Sequence, residues 1–212
     1  MLFRSNPAVA SIGKPTGTAS GDFLIATIFY SSGGSATPPS GFTLIRATSA
    51  GGFTLYSYYK LAGGSEPSTY DFSYAASGSA SGVLLRISGS AGVVATPNGA
   101  SASNSNTPTF ADTVTPSSAN SLLIFPVYQY SSSVSDPHPS TFAITTSDPT
   151  WTLAKQSSSG LSNGFATAYA IRPEITATGD STCNLSGDGT ADSIAQMIVI
   201  SPVTFIPRVM II

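Results

Sequence analysis

The stretch Phe23-Leu24-Ile25-Ala26-Thr27-Ile28-Phe29-Tyr30 decides the fold, because it is a short, nearly continuous apolar run between two clusters of turn-forming residues. Ser20-Gly21-Asp22 precedes the run, and Ser31-Ser32-Gly33-Gly34 follows it. A short apolar run bounded by turn signals predicts a strand that is buried on both of its faces.

The segments that follow show the same alternation of strands and turns. A second strand begins within residues 41–45, and a third covers Phe53–Leu61 after the turn Ala50-Gly51-Gly52, so these two strands are predicted to form a hairpin. Residues 70–74 and 82–88 complete the first half of the chain. No segment has the period of an amphipathic helix. The sequence therefore predicts an all-β protein, a two-layer antiparallel β-sandwich of jelly-roll-like type.

The second half of the chain repeats the first half in unbroken order. The matched segments are 21–29 with 120–128, 41–44 with 150–153, 59–61 with 169–171, and 84–88 with 197–201. The shift grows from 99 residues (21 to 120) to 113 residues (88 to 201), which insertions in loops such as residues 131–148 would produce. The matches predict that the sandwich is formed by two sequence-related halves.

The two halves are predicted to form one domain, because each supplies only about five strands, too few to close a core comfortably alone. This domain of residues 1–212 has four parts: a first half at about 20–96, a connection at about 97–115, a second half at about 116–201, and an apolar C-terminal arm at 202–212. The connection is either a flexible linker or contains an added edge strand around residues 107–114. Pro126 lies inside a matched strand and cannot donate to a ladder, which predicts an edge strand or a bulge there.

The composition excludes several classes of partner. Only 8% of the residues are charged, the net charge is -2, and the basic residues are scattered, which argues against nucleic acid as a partner. The apolar stretches are cut by Pro, Ser or Arg, which argues against a membrane, and residues 1–7 lack the apolar region of a secretory signal. Cys183 is the only cysteine, which excludes an internal disulfide. A weakly charged, hydroxyl-rich surface suits a protein that packs against partners.

Three motifs carry a resemblance to a known family. They are Gly21-Asp22 before an apolar strand, Pro39-Ser40-Gly41-Phe42-Thr43-Leu44-Ile45, and Tyr58-Tyr59-Lys60-Leu61-Ala62-Gly63-Gly64-Ser65-Glu66-Pro67. With them, most of residues 20–201 resembles the duplicated β-sandwich module of tailed-bacteriophage virion proteins, of the head decoration and the head or tail fibre type. That module often has Trp after Pro-Ser-Gly; this chain has Phe42 there, and Trp151 takes the position in the second half.

The resemblance implies a non-enzymatic virion structural protein, a capsid decoration or cement protein or a head-fibre subunit, assembled in the host cytoplasm. Its partners would be other virion proteins, capsid or fibre chains, and copies of itself in an oligomer. The alternative is a receptor- or glycan-binding module of a tail fibre or baseplate.

One short motif is typical of hydrolases, whose Gly-x-Ser-x-Gly serine sits on a sharp strand-to-helix turn beside a histidine. Gly160-Leu161-Ser162-Asn163-Gly164 matches it, but residues 165–171 alternate as a strand, and Asn163-Gly164 predicts a hairpin turn. The only histidine, His138, lies in a loop between two prolines. We therefore expect no catalytic residues and no cofactor.

Three aspartates gather oxygen ligands within a short stretch: Asp180, Asp188 and Asp192. Their spacing does not fit a known calcium loop. Asp188-Gly189 is better explained as a turn between strands, because Asp caps turns and Gly tolerates a positive φ. We therefore expect no metal site.

Two features point to partner binding. If residues 55, 57, 59 and 61 face inward, Tyr56 and Tyr58 face outward, where exposed tyrosines suit protein partners and sugars alike. The alternative is that a neighbouring loop covers them. The segment 203–212 is strongly apolar and has no counterpart after the first half. We expect its apolar side chains to pack on another chain, with burial on its own sandwich as the alternative: Phe205, Ile206, Val209, Met210, Ile211 and Ile212.

Overall fold

The structure, a computed structural model, describes residues 3–5, 8–31, 35–75, 78–88, 93–102, 109–110, 113–130, 142–144, 150–158, 163–178, 181–185, 192–201 and 208–210. Every regular element in these residues is a β-strand, which confirms the all-β sandwich class. The strands are β1 (Phe3–Ser5), β2 (Ala8–Gly13), β3 (Phe23–Tyr30), β4 (Ala36–Thr37), β5 (Thr43–Ala50), β6 (Phe53–Leu61), β7 (Thr69–Tyr74), β8 (Gly78–Ser88), β9 (Val93–Ala102), β10 (Thr109–Phe110), β11 (Ser121–Tyr130), β12 (Phe142–Ile144), β13 (Thr152–Ser158), β14 (Asn163–Arg172), β15 (Ser181–Leu185), β16 (Asp192–Ser201) and β17 (Arg208–Met210).

The chain divides into two compact units. Unit 1 contains Met1–Ala47, Gly52–Val93 and Pro202–Ile212, and unit 2 contains Thr48–Gly51 and Val94–Ser201. The boundary after Val93 lies a few residues before the predicted connection at about 97–115. The grouping of both halves into one domain and the jelly-roll-like character of the sandwich stay predictions.

Unit 1 is a two-layer sandwich. One layer is a six-stranded antiparallel sheet in the order β1-β8-β3-β6-β5, in which β17 also pairs with β8; the other is a three-stranded sheet in the order β2-β7-β4. Side chains from both sheets form one core. Tyr30 of β3 stacks on Tyr74 of β7 with 4.2 Å between ring centroids, and its hydroxyl donates to the carbonyl oxygen of Phe72 at 2.9 Å. This bond satisfies the phenol inside the core.

The strand that decides the fold forms as predicted. All eight residues of β3 are buried, so both faces of the strand are covered. The hairpin of β5 and β6 also forms, and its turn residues Gly51 and Gly52 have φ of 56° and 88°. Two-residue hairpin turns favour glycine because this region of φ is strained for other residues.

Unit 2 contains a five-stranded sheet in the order β13-β14-β11-β16-β9 and a three-stranded sheet in the order β10-β15-β12. Its described core lies on one face of β11 and β16, and Trp151 packs against it with 5.6 Å between its ring centroid and that of Phe125. The core residues are Val114, Leu123, Phe125, Val127, Ala195, Met197 and Val199.

The two units repeat the same strand order. Adding eight to each label turns β1-β8-β3-β6-β5 into β9-β16-β11-β14-β13, and β2-β7-β4 into β10-β15-β12. Gly21 and Asn120, matched in sequence, both have positive φ, of 87° and 58°. Phe42 and Trp151, also matched, each lie against the core of their own unit. These parallels support the duplication, and the residue-by-residue equivalence of the halves stays a prediction.

Pro126 does not mark an edge strand, and that part of the prediction is wrong. β11 lies between β14 and β16 in the middle of its sheet. Its ladder with β16 pairs Ile124 with Ile198 and resumes at Val127 with Ala195, so Phe125 and Pro126 stand at a gap in the pairing. Proline has no N–H to donate, and a local gap accommodates it without moving the strand to an edge.

Two segments that were predicted to be loops or connections contain β-strands. The long loop expected at residues 131–148 contains β12, which pairs with β15. The expected connection at 97–115 contains the end of β9 and all of β10, and β10 stands at the edge of its sheet. Of the two alternatives weighed for the connection, the structure has the one with an edge strand.

Candidate functional site

The structure describes only the last two residues of the hydrolase-like motif, Asn163 and Gly164. Ser162 and His138 lie outside the described residues. Asn163 and Gly164 belong to β14, where they pair with Tyr130 and Gln129 of β11, so the hairpin turn predicted at these two residues is wrong. The glycine and asparagine preference for turns is outweighed here by pairing with a central strand.

The structure describes one of the three aspartates that could offer oxygen ligands. Asp180 and Asp188 lie outside them, and Asp192 begins β16 opposite Tyr130. In the part of the chain that the structure describes, no group of three or more His, Cys, Asp or Glu side chains could hold a metal ion.

The prediction that Tyr56 and Tyr58 are exposed is wrong. Their exposed fractions are 8% and 2%, and both belong to the core of unit 1. They face the three-stranded sheet, where the ring of Tyr58 lies 5.7 Å from that of Phe72. Burial raises the pKa of Tyr58 far above its usual value, so the phenol stays neutral. The sequence-matched Ala166 and Ala168 are buried as well.

A cluster of polar side chains braces one end of unit 1. Lys60 lies near the end of β6, Glu66 lies in the turn that follows, and Tyr70 lies at the start of β7. One carboxylate oxygen of Glu66, Oε2, accepts from Lys60 Nζ at 2.7 Å and from the Tyr70 hydroxyl at 2.8 Å. The other, Oε1, accepts from the backbone N–H of Gly63 at 2.6 Å. We call these residues the Glu66 brace.

The carboxylate of Glu66 is held in its charged form. The side chains of Lys60 and Glu66 are 16% and 5% exposed. Burial raises the pKa of Glu66, but the hydrogen bonds from Lys60, Gly63 and Tyr70, together with the positive charge of Lys60, lower it by more, so the net pKa lies below its usual range. The Lys60 ammonium also lies 5.8 Å from the ring centroid of Phe42 and 5.6 Å from that of Tyr70. A carboxyl held ionised in this way cannot donate a proton near neutral pH, so the brace is suited to support and not to acid catalysis.

A second ion pair fixes the turn that leads into β3. Asp22 Oδ2 accepts from Arg86 Nε at 2.6 Å and from the backbone N–H of Ala19 at 2.7 Å. The backbone of Ala62 donates to the carbonyl oxygen of Asp22 at 2.8 Å. The Gly-Asp motif therefore joins this turn to β8 and to the end of β6.

The C-terminal segment adds a strand to its own chain. Arg208, Val209 and Met210 pair with Ser88, Ile87 and Arg86 of β8. For the backbone of these three residues, the structure therefore has the alternative expected from the sequence, in which the segment lies against its own sandwich. Phe205, Ile206, Ile211 and Ile212 lie outside the described residues, and the packing of this segment on another chain stays a prediction.

Sequence reasoning missed two arrangements. The sequence contains a signal that could have predicted the Glu66 brace, because the opposite charges of Lys60 and Glu66 flank the Gly63-Gly64 turn. The shared use of β8 by β1 and β17 had no local signal, since these strands are far from β8 along the chain.

The described residues include no helix with the length and hydrophobicity to cross a membrane. No protein-family model, curated protein or solved structure matches the chain. The resemblance to virion β-sandwich modules therefore rests on the motifs quoted for it.

Proposed function

We propose that this chain is a non-enzymatic structural protein of a bacteriophage particle, a capsid decoration or cement protein or a head-fibre subunit. The observation that carries the proposal is that residues of the three motifs make contacts that hold unit 1 together. Phe42 lies in the core, Lys60 and Glu66 form the Glu66 brace, and Asp22 fixes the entry to β3. Residues that carry the resemblance thus hold a scaffold together, which is the role that a structural module requires of them.

Exposed apolar side chains at matched positions support binding to other proteins. Leu61 is 52% exposed and its sequence match Ile171 is 37% exposed; Leu44 and its match Leu153 are also exposed. An exposed leucine by itself is ordinary. The recurrence of exposed apolar side chains at the same two matched positions in both units favours a surface that is covered in an assembly. The low charge of the chain, 8% of residues, favours the same interpretation.

The alternative, a receptor- or glycan-binding module of a tail fibre or baseplate, has lost its main support. It depended on exposed aromatic rings, which sugars stack against. Tyr56 and Tyr58, the rings that suggested it, are buried in the core of unit 1. Their burial also removes these two tyrosines as a surface for protein partners, so the support for the decoration or head-fibre function comes from the exposed apolar side chains at matched positions.

Purified particles test the proposal. Particles of the phage that encodes the chain are banded on a density gradient, separated into heads and tails, and quantified by mass spectrometry. We expect the chain in the head fraction at a fixed ratio to the major capsid protein. Its recovery with tails would favour the alternative, and its recovery only as free protein would overturn both.

Point variants connect this test to the exposed surface. Leu61→Ser changes a side chain that is half exposed and should leave folding intact while lowering the occupancy on heads. Thr69→Ser, at another exposed position, is the matched control and should load as the parent does.

A further inference from the structure

Two buried polar side chains of unit 2 stand directly opposite each other in the ladder between β11 and β16. Gln129 of β11 pairs with Ser193 of β16. They follow the core pair Val127 and Ala195 on the same face of the sheet, because side chains alternate along a strand. The exposed fractions of Gln129 and Ser193 are 3% and 2%. We call Gln129 and Ser193 the polar pair.

The oxygen atoms of the polar pair are not satisfied by protein groups. Gln129 Oε1 and Ser193 Oγ accept or donate no hydrogen bond within the part of the chain that the structure describes, so they are not bonded to each other. Buried polar groups in proteins are nearly always hydrogen-bonded, either to protein or to ordered water. Leaving an amide oxygen and a hydroxyl in a core without a partner destabilises the fold. The polar pair therefore requires a bound partner.

Unit 1 has no such requirement at the corresponding place. The shift of 99 residues between the halves takes Tyr30 to Gln129, and the shift of 113 residues takes Ala80 to Ser193. The structure pairs Tyr30 with Ala80, as it pairs Gln129 with Ser193, so the two shifts agree with both ladders. The Tyr30 hydroxyl donates to the carbonyl oxygen of Phe72, and Ala80 has no polar side-chain atom.

Smaller side chains stand at this place in unit 2. In unit 1 the ring of Tyr56 lies 5.8 Å from that of Tyr30. Their sequence matches are Ala166 and Gln129, so two rings are replaced by smaller groups. Ala166 and Gln129 are nevertheless buried, each with an exposed fraction of 3%. A buried water is bound where a site is roomy and offers about two to four polar partners.

We propose that Gln129 and Ser193 bind a buried water molecule that bridges β11 and β16. Directly opposite residues of an antiparallel pair have Cβ atoms about 4.5–5.5 Å apart, so one water can reach both side chains. The water donates to Gln129 Oε1, which can only accept, and it donates to or accepts from the Ser193 hydroxyl. A hydrated polar bridge thus takes the place in unit 2 that the Tyr30 ring has in unit 1. The inference does not depend on the proposed function.

A high-resolution crystal structure of the chain tests the bridge directly. We expect an ordered density peak at about 2.7–3.2 Å from both Gln129 Oε1 and Ser193 Oγ. The absence of such a peak, or a protein group that donates to Gln129 Oε1 in its place, would overturn the proposal.

A double-mutant cycle tests in solution whether the two side chains share the water. Ser193→Ala, Gln129→Leu and the double variant are compared with the parent by urea denaturation. Each single variant leaves the water and the remaining polar group incompletely bonded, whereas the double variant removes both groups that need it. We expect the effects of the single variants on the equilibrium constant for unfolding to multiply to at least about fivefold more than the effect of the double variant.

Ser81→Ala is the matched control for Ser193→Ala. Ser81 is a buried serine of β8 whose hydroxyl also has no hydrogen bond among the described residues, but it stands opposite Phe29, which has no polar side-chain atom. Its removal should leave the stability unchanged or raise it, while Ser193→Ala lowers it. Single variants of the polar pair that behave as the control does, with effects that multiply to that of the double variant, would overturn the shared water.

Discussion

Removing the carboxylate of the Glu66 brace should destabilise unit 1 strongly. Glu66→Ala takes one acceptor from the Lys60 ammonium and the acceptor from the Tyr70 hydroxyl, and it frees the N–H of Gly63. Breaking a buried ion pair by deleting one partner costs about 3–5 kcal/mol. Lys60 is partly exposed and keeps a 3.5 Å contact with the carbonyl oxygen of Ser40, which places the expected loss at about 2–3 kcal/mol.

Urea denaturation followed by far-UV circular dichroism measures this loss at pH 7. The matched control is Glu174→Ala, the same change at an exposed glutamate in unit 2, which should alter the free energy of unfolding by less than about 0.5 kcal/mol. A loss for Glu66→Ala no larger than that of the control would refute the account of the brace.

The same brace predicts a dependence on pH. The pKa of Glu66 is lowered in the folded chain relative to its ordinary value of 4.5, so its stabilising contribution is complete above that value and is lost as the pH falls through the folded pKa. Glu66→Gln should therefore be less stable than the parent at pH 7, with a difference that shrinks towards pH 3. A difference that stays constant over this range would contradict the assignment.

Two substitutions in the core of unit 1 give further tests by denaturation. Tyr30→Phe should lose about 0.5–1.5 kcal/mol, because the hydrogen bond from its buried hydroxyl to the carbonyl oxygen of Phe72 is removed; an unchanged midpoint would show that this bond is not needed. Gly82→Ala should lose about 1–3 kcal/mol, because its Cβ would lie 2.8 Å from the backbone oxygen of Thr27, whereas Gly64→Ala, with open space around it, should be nearly neutral. Equal stability of the two alanine variants would contradict the packing described.

The sequence predicted the parts of the fold that depend on local signals. The bounds of β3 and β6 agree with the structure, because apolar runs end at turn residues that lie next to them in the chain. The face that β6 turns toward the three-stranded sheet could not be predicted in this way. Both faces of β6 are buried over most of its length, and each carries a buried polar residue, Ser57 on one face and Thr54 on the other. The alternation of polar and apolar residues therefore does not distinguish the two faces.

Features set by distant parts of the chain were predicted poorly. Pro126 suggested an edge because proline lacks a donor, yet the gap that accommodates it depends on the pairing of β11 with β16. The pairing of β1 and β17 with one strand joins segments that are far apart in sequence. The candidate site was not predicted: Tyr56 and Tyr58 are buried, and the contacts of Lys60, Glu66 and Tyr70 depend on the three-dimensional arrangement of β6 and β7.

A cryo-electron microscopy map of the intact particle tests the central claim most directly. The account predicts density on the head surface into which both β-sandwich units fit, with the exposed Leu61 and Ile171 covered by capsid chains or by neighbouring copies. Density for the chain at the tail tip or baseplate, with Leu61 and Ile171 facing solvent, would contradict it.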